Sequence, residues 1–473
     1  MTEFRIEKDT LGEMKVPAGA YYGPQAARAV ENFPISGYRA HPEFIRAMVF
    51  IKKAAALVHQ DLGLLPAETA GAIAKAADEI LDGKLHEWFV VDVYQAGAGT
   101  SFNMNTNEVL ANRAIELLGG KRGEYKKVHP NDHVNMAQST NDSIPTAIRL
   151  STIALGRKLA RSLAGLEAAF AGKAIEFDDI VKSARTHLQD AVPIRLGQEF
   201  GGWAATLKTV RVRLEQALDG LHRLGLGATA AGTGLNAHPE YRARVAAKLS
   251  ELTGFQLRTA EDYFEMTQSM ADMLAVSAAL RGAAVELARI SHDLRLLATG
   301  PMTGFDEIRM PAVQPGSSIM PGKVNPVMAE MLSMVCFQVI GLDTAISYST
   351  YAGNLDLNVM MPLIAYDLNH GCTILANAVE VFSEKCVKGI TADRDRCRRY
   401  FETSVGLATV LNAFIGYEAA AEVAKECVRT GKSMPEIVLE RKILSKEDLD
   451  RVLEPRSVTE PGIPGGKILS AGG

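Results

Sequence analysis

The sequence predicts an all-α fold built around a bundle of long helices, and three observations carry that prediction. Apolar residues recur at i, i+3, i+4 and i+7 over long stretches, while the every-second-residue alternation of a half-buried strand is almost absent. Aromatic residues make up only 6% of the chain, and alanine and leucine crowd its middle, a composition that favours helices. The periodic stretches also run well beyond the ~11–12 residues of an average helix.

A chain of 473 residues exceeds what one hydrophobic core usually supports, so several domains are expected. Residues 1–139 mix short helical patterns with Gly and Pro punctuation and read as a mixed, mainly helical N-terminal domain. Residues 140–395 hold five long helical segments and read as a central bundle. The first, 146–174, carries Leu150, Ile153, Leu155, Leu159, Leu163 and Leu166 with no interior proline, and Pro145 suits its first helical position. Segments 194–224, 260–297, 324–349 and 357–384 follow; the second of these repeats the pattern with Met270, Leu274, Leu280, Val285, Leu287, Ile290 and Leu294. Several are apolar or alanine-lined on more than one face, and such helices need cover on every side, which points to an oligomer whose core is an assembly of bundles. Beyond residue 390 the helices shorten (392–400, 417–430, 434–441, 446–453), so 396–473 read as a small C-terminal helical domain. Its last stretch, 461–473, reads as loose.

Hydrophobic residues at 47% and charged residues at 22% exclude a disordered chain. A net charge of −4 gives no reason to expect nucleic acid or an anionic membrane as partner. No uncharged apolar run reaches the ~18–20 residues that cross a bilayer; the longest, 331–342, is bounded by Glu330 and Asp343. The first residues mix acids and bases with no apolar stretch behind them, unlike a secretory signal, so a cytoplasmic location is expected. Cys336, Cys372, Cys386, Cys397 and Cys427 are odd in number and lack C-x-x-C spacing, which reads as apolar fillers rather than disulfides or a zinc site.

Three motifs are set aside. The stretch from Gly316 to Lys323 resembles a phosphate loop, but it has five residues between its glycines instead of four, and Val324 sits where a magnesium-binding hydroxyl is required. His129 and His133 are four apart, yet no third metal ligand accompanies them. Gly225-x-Gly227 lacks the spacing of a dinucleotide fold and reads as a helix end.

The informative stretch is 300–326, a loop between two long helical segments that is crowded with Gly and Pro. It carries Ser317 and Ser318 in its middle and Lys323 and Asn325 at its end, where a new helix begins. Loops above ~12–15 residues in a compact helical domain are usually functional or disordered. The competing reading is a surface loop whose serines cap turns. Three further polar clusters favour function. Gly97-Ala-Gly-Thr100-Ser101 is followed by Asn103, Asn105 and Asn107; Gln138-Ser139-Thr140-Asn141-Asp142 precedes a long helix; and Arg185-Thr186-His187-Leu-Gln189-Asp190 leads into Gly197-Gln198-Glu199. Singly, Ser139 or Thr140 is a helix cap and His187 a structural histidine. Together they supply hydroxyls, amides, an imidazole and an ammonium, a set that suits a small dicarboxylate.

Gly316-Ser-Ser-Ile-Met-Pro-Gly-Lys-Val-Asn-Pro326 resembles the signature of the class II fumarase/aspartase superfamily, and the likeness extends from Arg5 to about Gly462. Asp92-x-Tyr-Gln-x-Gly-Ala-Gly-Thr100, Asp132-His-Val-Asn135 and Ser139-Thr140-Asn141-Asp142 resemble the aspartase branch, since fumarases typically carry a second serine at Thr140. The resemblance implies a homotetramer with a roughly twenty-helix core and active sites shared between three subunits. It implies reversible anti-elimination of ammonia from L-aspartate to fumarate through an aci-carboxylate intermediate. Ser317 would be the general base, helped by Lys323 and backbone N–H groups of a mobile loop. Thr100, Ser139, Thr140 and Ser318 would surround the β-carboxylate. Lys323, Asn325 and Thr186 would hold the α-carboxylate, with Asn141 and His187 near the amino group and Glu330 pairing with His187. No cofactor is implied, although Mg²⁺ activates some relatives. Two positions depart from the family pattern: Met302 follows Pro301 where an arginine is usual, and Met361 replaces a charged residue. Either the two methionines repack a gap or they alter the pocket for an N- or β-substituted aspartate. Hydration of fumarate to malate, and a scaffold protein without turnover, are the other readings; Ser317, Lys323 and His187 together count against the scaffold.

Overall fold

The computed structural model describes residues 3–464; the reading of 461–473 as a loose tail falls mostly outside them. In chain order the elements begin with a hairpin, β1 (Phe4–Asp9) and β2 (Gly12–Pro17). Helices α1 (Pro24–Asn32), α2 (Pro42–Asp61), α3 (Ala67–Leu81), α4 (Thr100–Leu117) and α5 (Thr140–Glu176) follow. A second hairpin, β3 (Val181–Thr186) and β4 (Gln189–Arg195), leads into α6 (Leu196–Gly220), α7 (Tyr241–Thr253), α8 (Tyr263–Gln268) and α9 (Ala271–Leu297). Then come α10 (Val327–Tyr351), α11 (Met361–Lys385), α12 (Arg394–Thr403), α13 (Asn412–Thr430), α14 (Met434–Glu440), α15 (Lys446–Val452) and α16 (Pro455–Thr459).

The five long periodic segments are helices α5, α6, α9, α10 and α11. Three readings need correction. Segment 260–297 is broken, because Ser269 is extended (ψ 133°) between α8 and α9. Pro145 lies inside α5, not at its first position, because the helix starts five residues earlier on the Ser139 cap. Gly225 and Gly227 end no helix: α6 stops at Gly220, and both glycines lie in the loop that follows. The hairpins also escaped notice, each being too short to show alternation.

The chain divides into two compact units. One holds the described part of Met1–Arg161 with Val210–Ala284 and Cys336–Ala376; the other holds Ser162–Thr209, Val285–Val335 and the described part of Asn377–Gly473. In the first, the core includes α2, α3, α4, the start of α5, α7 and the start of α11, with Ile51, Ile73, Leu110, Ile148, Leu249 and Leu368 fully buried. In the second, residues 401–452 form a core of their own from Leu411, Val423, Val438 and Val452. Helix starts there are well capped, as at α14, where Ser433 and Glu436 form a reciprocal capping box.

Helix α10 is long and apolar enough, by composition alone, to cross a membrane. Its buried Ser333 and Asp343 instead bond to Ser291 and Ser277, as in a packed bundle. All five cysteines are free and buried.

Candidate active site

The first unit carries the donors expected to face the β-carboxylate. Gly99 adopts φ 85°, and a side chain there would press on Ile144 of α5 at 3.0 Å, so the start of α4 lies against the start of α5. This places Thr100, exposed at the first position of α4, beside the half-buried Ser139, Thr140 and Asn141. Ser139 caps α5, its Oγ accepting the Asn141 N–H at 3.1 Å. Behind these residues stands a fully buried ammonium. Lys52 Nζ donates to Asn103 Oδ1 (2.7 Å), Asn135 Oδ1 (2.8 Å) and Gln138 Oε1 (3.0 Å), and Asn103 Nδ2 reaches Thr140 Oγ1 at 3.4 Å. Burial pulls the Lys52 amine down to about 7. Asn105 and Asn107 face the interior; Asn105 bonds Val90 N–H and the Trp88 carbonyl, a structural role.

The second unit carries the rest. Thr186 and His187 sit at the exposed tip of the β3–β4 hairpin, where His187 and Leu188 both have positive φ (55° and 60°). A two-residue turn of this kind normally takes Asn-Gly, so a His-Leu tip is a strained backbone held by its surroundings. Its base is held by a buried ion cluster: Glu307, fully buried, accepts from Arg185 (3.0 Å) and lies 2.9 Å from Lys182, which also donates to Glu199 (2.8 Å). Arg185 and Glu199 belong to a polar cluster visible in the sequence, but nothing there marked their partners Lys182 and Glu307.

In the loop, the Gly316 N–H donates to the Lys323 carbonyl at 2.9 Å and Asn325 Nδ2 to the Gly316 carbonyl, closing 316–325 on itself. A side chain at Gly316 would run into the Lys323 carbonyl. Within this closed turn Ser317 Oγ accepts two backbone N–H groups, from Ile319 (3.2 Å) and Met320 (2.9 Å). Ser317 and Lys323 line an open concavity of about 420 Å³ with Val313, Gln314 and Met320. Ser318 is exposed, and the Lys323 ammonium has no ion-pair partner among the described residues. Glu330, in the first turn of α10, lies 3.9 Å from Arg295; no contact joins it to His187 within the chain, among the described residues.

His129 and His133 serve their own turn. His133 Nδ1 accepts the His129 N–H, and His129 Nδ1 accepts those of Asn131 and Asp132.

Comparison with known proteins decides the family. The profile of the family described as Lyase matches residues 12–341, and that of the fumarase C C-terminus matches residues 407–460. The chain belongs to the fumarase/aspartase superfamily of lyases. It is 48% identical over 467 residues to aspartate ammonia-lyase of Bacillus subtilis (strain 168), covering 99% of this chain and 98% of the relative. It is 47% identical over 460 residues to that of Escherichia coli (strain K12), covering 97% and 96%. Among solved structures, a fumarate lyase/delta-crystallin from Brucella melitensis bound to cobalt superposes with TM-score 0.94 at 45% identity, covering 97% of this chain and all of that one. Class II fumarase from Schistosoma mansoni does so with TM-score 0.94 at 35% identity and the same coverage. Within this superfamily the all-α architecture is the shared scaffold.

Proposed function

We propose that this chain removes ammonia reversibly from L-aspartate to give fumarate, with Ser317 as general base. The cradle on Ser317 carries the proposal. A hydroxyl is a poor base because its alkoxide is unstable; two N–H groups on that oxygen, with the Lys323 ammonium on the same concavity, stabilise the deprotonated form. The proton comes from the carbon beside the β-carboxylate, which becomes a dianion. Hydroxyls of Thr100, Ser139, Thr140 and Ser318 would receive that charge, each aimed donor lowering the barrier by ~3–4 kcal/mol. Thr186 and Asn325 would bind the α-carboxylate with Lys323, and Asn141 and His187 the amino group, which leaves as ammonia. No cofactor takes part in these steps.

The donors are divided between two separately compact units and are exposed or half-buried within one chain, which supports a homotetramer with each site shared by three chains. Glu330 would then meet His187 of another subunit. Helix α10 presents Met334, Phe337, Tyr348 and Tyr351, each 54–86% exposed, a stripe that neighbouring subunits would cover. Free, buried cysteines suit a reducing compartment, so we place the protein in the cytoplasm.

A substituted aspartate is the second reading through Met302, which is 86% exposed near the start of the 300–326 loop; Met361 is fully buried and fills core. The test is ultraviolet absorbance of fumarate with L-aspartate, L-malate and N- or β-substituted aspartates in turn. Turnover with aspartate alone is expected; turnover of malate and not aspartate would overturn the reading.

A further inference from the structure

Asp142 has no part in the chemistry above, yet it is buried to 1% exposure directly behind Ser139, Thr140 and Asn141. Its two oxygens face different structures. Oδ1 accepts the Ser139 N–H at 3.0 Å, closing the turn that carries the donors. Oδ2 accepts the N–H groups of Gly227 and Thr229, each at 3.0 Å. Both of those residues are in left-handed backbone (φ 91° and 57°), which turns their N–H groups toward one point and makes a small anion receptor. The receptor is braced from outside: Arg242 donates to the carbonyls of Gly227 (3.0 Å) and Gly232 (2.8 Å) and lies 3.9 Å over the Tyr263 ring. A second strut joins the same partners, Asn141 Nδ2 donating to the Ala230 carbonyl at 2.7 Å. A simple helix cap would need only the Oδ1 bond and would sit at the surface.

We infer that Asp142 is a positioning residue that fixes the Ser139, Thr140 and Asn141 donors by anchoring their turn to the 225–234 loop. The inference rests on the reading of those residues as substrate donors. Lys52 supports the same turn through Asn103, Asn135 and Gln138, so the donors are backed by two buried side chains. The consequence is kinetic. A ground-state dicarboxylate tolerates donors that swing; a carboxylate becoming a dianion is stabilised only by donors already aimed.

The test is Asp142→Asn in the full-length, assembled enzyme. Asparagine turns an N–H₂ toward N–H donors, so one of the two anchors must let go. We expect kcat for aspartate to fall about 100-fold, with inhibition by succinate, an unreactive dicarboxylate, weakened less than about threefold. Arg242→Met loosens the loop without disturbing a buried carboxylate and should lower kcat about tenfold in the same pattern; it decides the matter if Asp142→Asn does not fold. Parental kcat in a folded Asp142→Asn enzyme, an equal loss of succinate binding and kcat, or unchanged kcat in Arg242→Met with the first variant insoluble would each overturn the inference alone. Ser139→Ala is assayed beside them: unchanged aspartate turnover there would overturn the site reading itself and this inference with it.

Discussion

The two groups of proposed site residues, one in each compact unit, are built in opposite ways. Behind Ser139 and Thr140, Lys52 and Asp142 are buried and each makes three hydrogen bonds. Around Ser317, by contrast, Ile319 is 83% exposed, and apart from the Val327 N–H on the Asn325 carbonyl the hydrogen bonds of 316–325 close within the loop itself. The proposed mechanism accounts for the difference. Donors that stabilise developing charge must not reorganise, whereas a base that must cover and then release substrate sits best on a segment tied only to itself.

The largest effect should come from the loop. Ser317→Ala is expected to lower aspartate turnover by about a thousandfold or more with little change in melting temperature, because the half-buried hydroxyl bonds only N–H groups of its own loop; retained turnover in a steady-state assay would remove the base assignment. Gly316→Ala forces a methyl against the Lys323 carbonyl and so opens the cradle. Turnover should drop ~10–100-fold, on the scale of a lost oxyanion donor, again with little change in melting temperature; parental kcat would show that the closed turn is dispensable.

Acid should find the rigid half. His59 on α2 is fully buried and stacked 4.7 Å from Tyr241, and burial pulls its imidazole down to about 4. Unfolded, it titrates near 6.5, so between these values the unfolded chain holds a proton that the folded chain lacks. Stability present above pH 6.5 is therefore lost as the pH falls, by about 2 kcal/mol at pH 5. His59→Phe should flatten the decline in melting temperature between pH 7.5 and 5; an unaltered decline would place the acid sensitivity elsewhere. The smallest effect belongs to the hairpin tip. Leu188→Gly relieves one left-handed leucine and should raise stability by about 1 kcal/mol, read by denaturant melting.

Much of this was legible in sequence because it is local. Long apolar periodicity marks α5, α9 and α10 directly, and the glycines and prolines of 300–326 mark the loop. The supporting shell was not legible, since it is made by distant pairs. Lys52 sits in an apolar run as an ordinary lysine, and only the fold brings it to Asn103, Asn135 and Gln138. Asp142 had a faint local signal, Ser-x-x-Asp at a helix start, which reads as a cap and hides the bonds to Gly227 and Thr229. For the same reason Gly225-x-Gly227 passed for a helix end: its purpose depends on a carboxylate some 85 residues away.

Hybrid tetramers test the central claim most directly. Ser317→Ala and Ser139→Ala chains, each expected to be inactive in the proposed homotetramer, are mixed by denaturation and reassembly, and fumarate formation from aspartate is followed. If the rigid donors and the loop base of one site come from different chains, mixed tetramers regain turnover because some sites receive both intact residues. Reassembled mixed tetramers that stay as inactive as their parents would contradict the account.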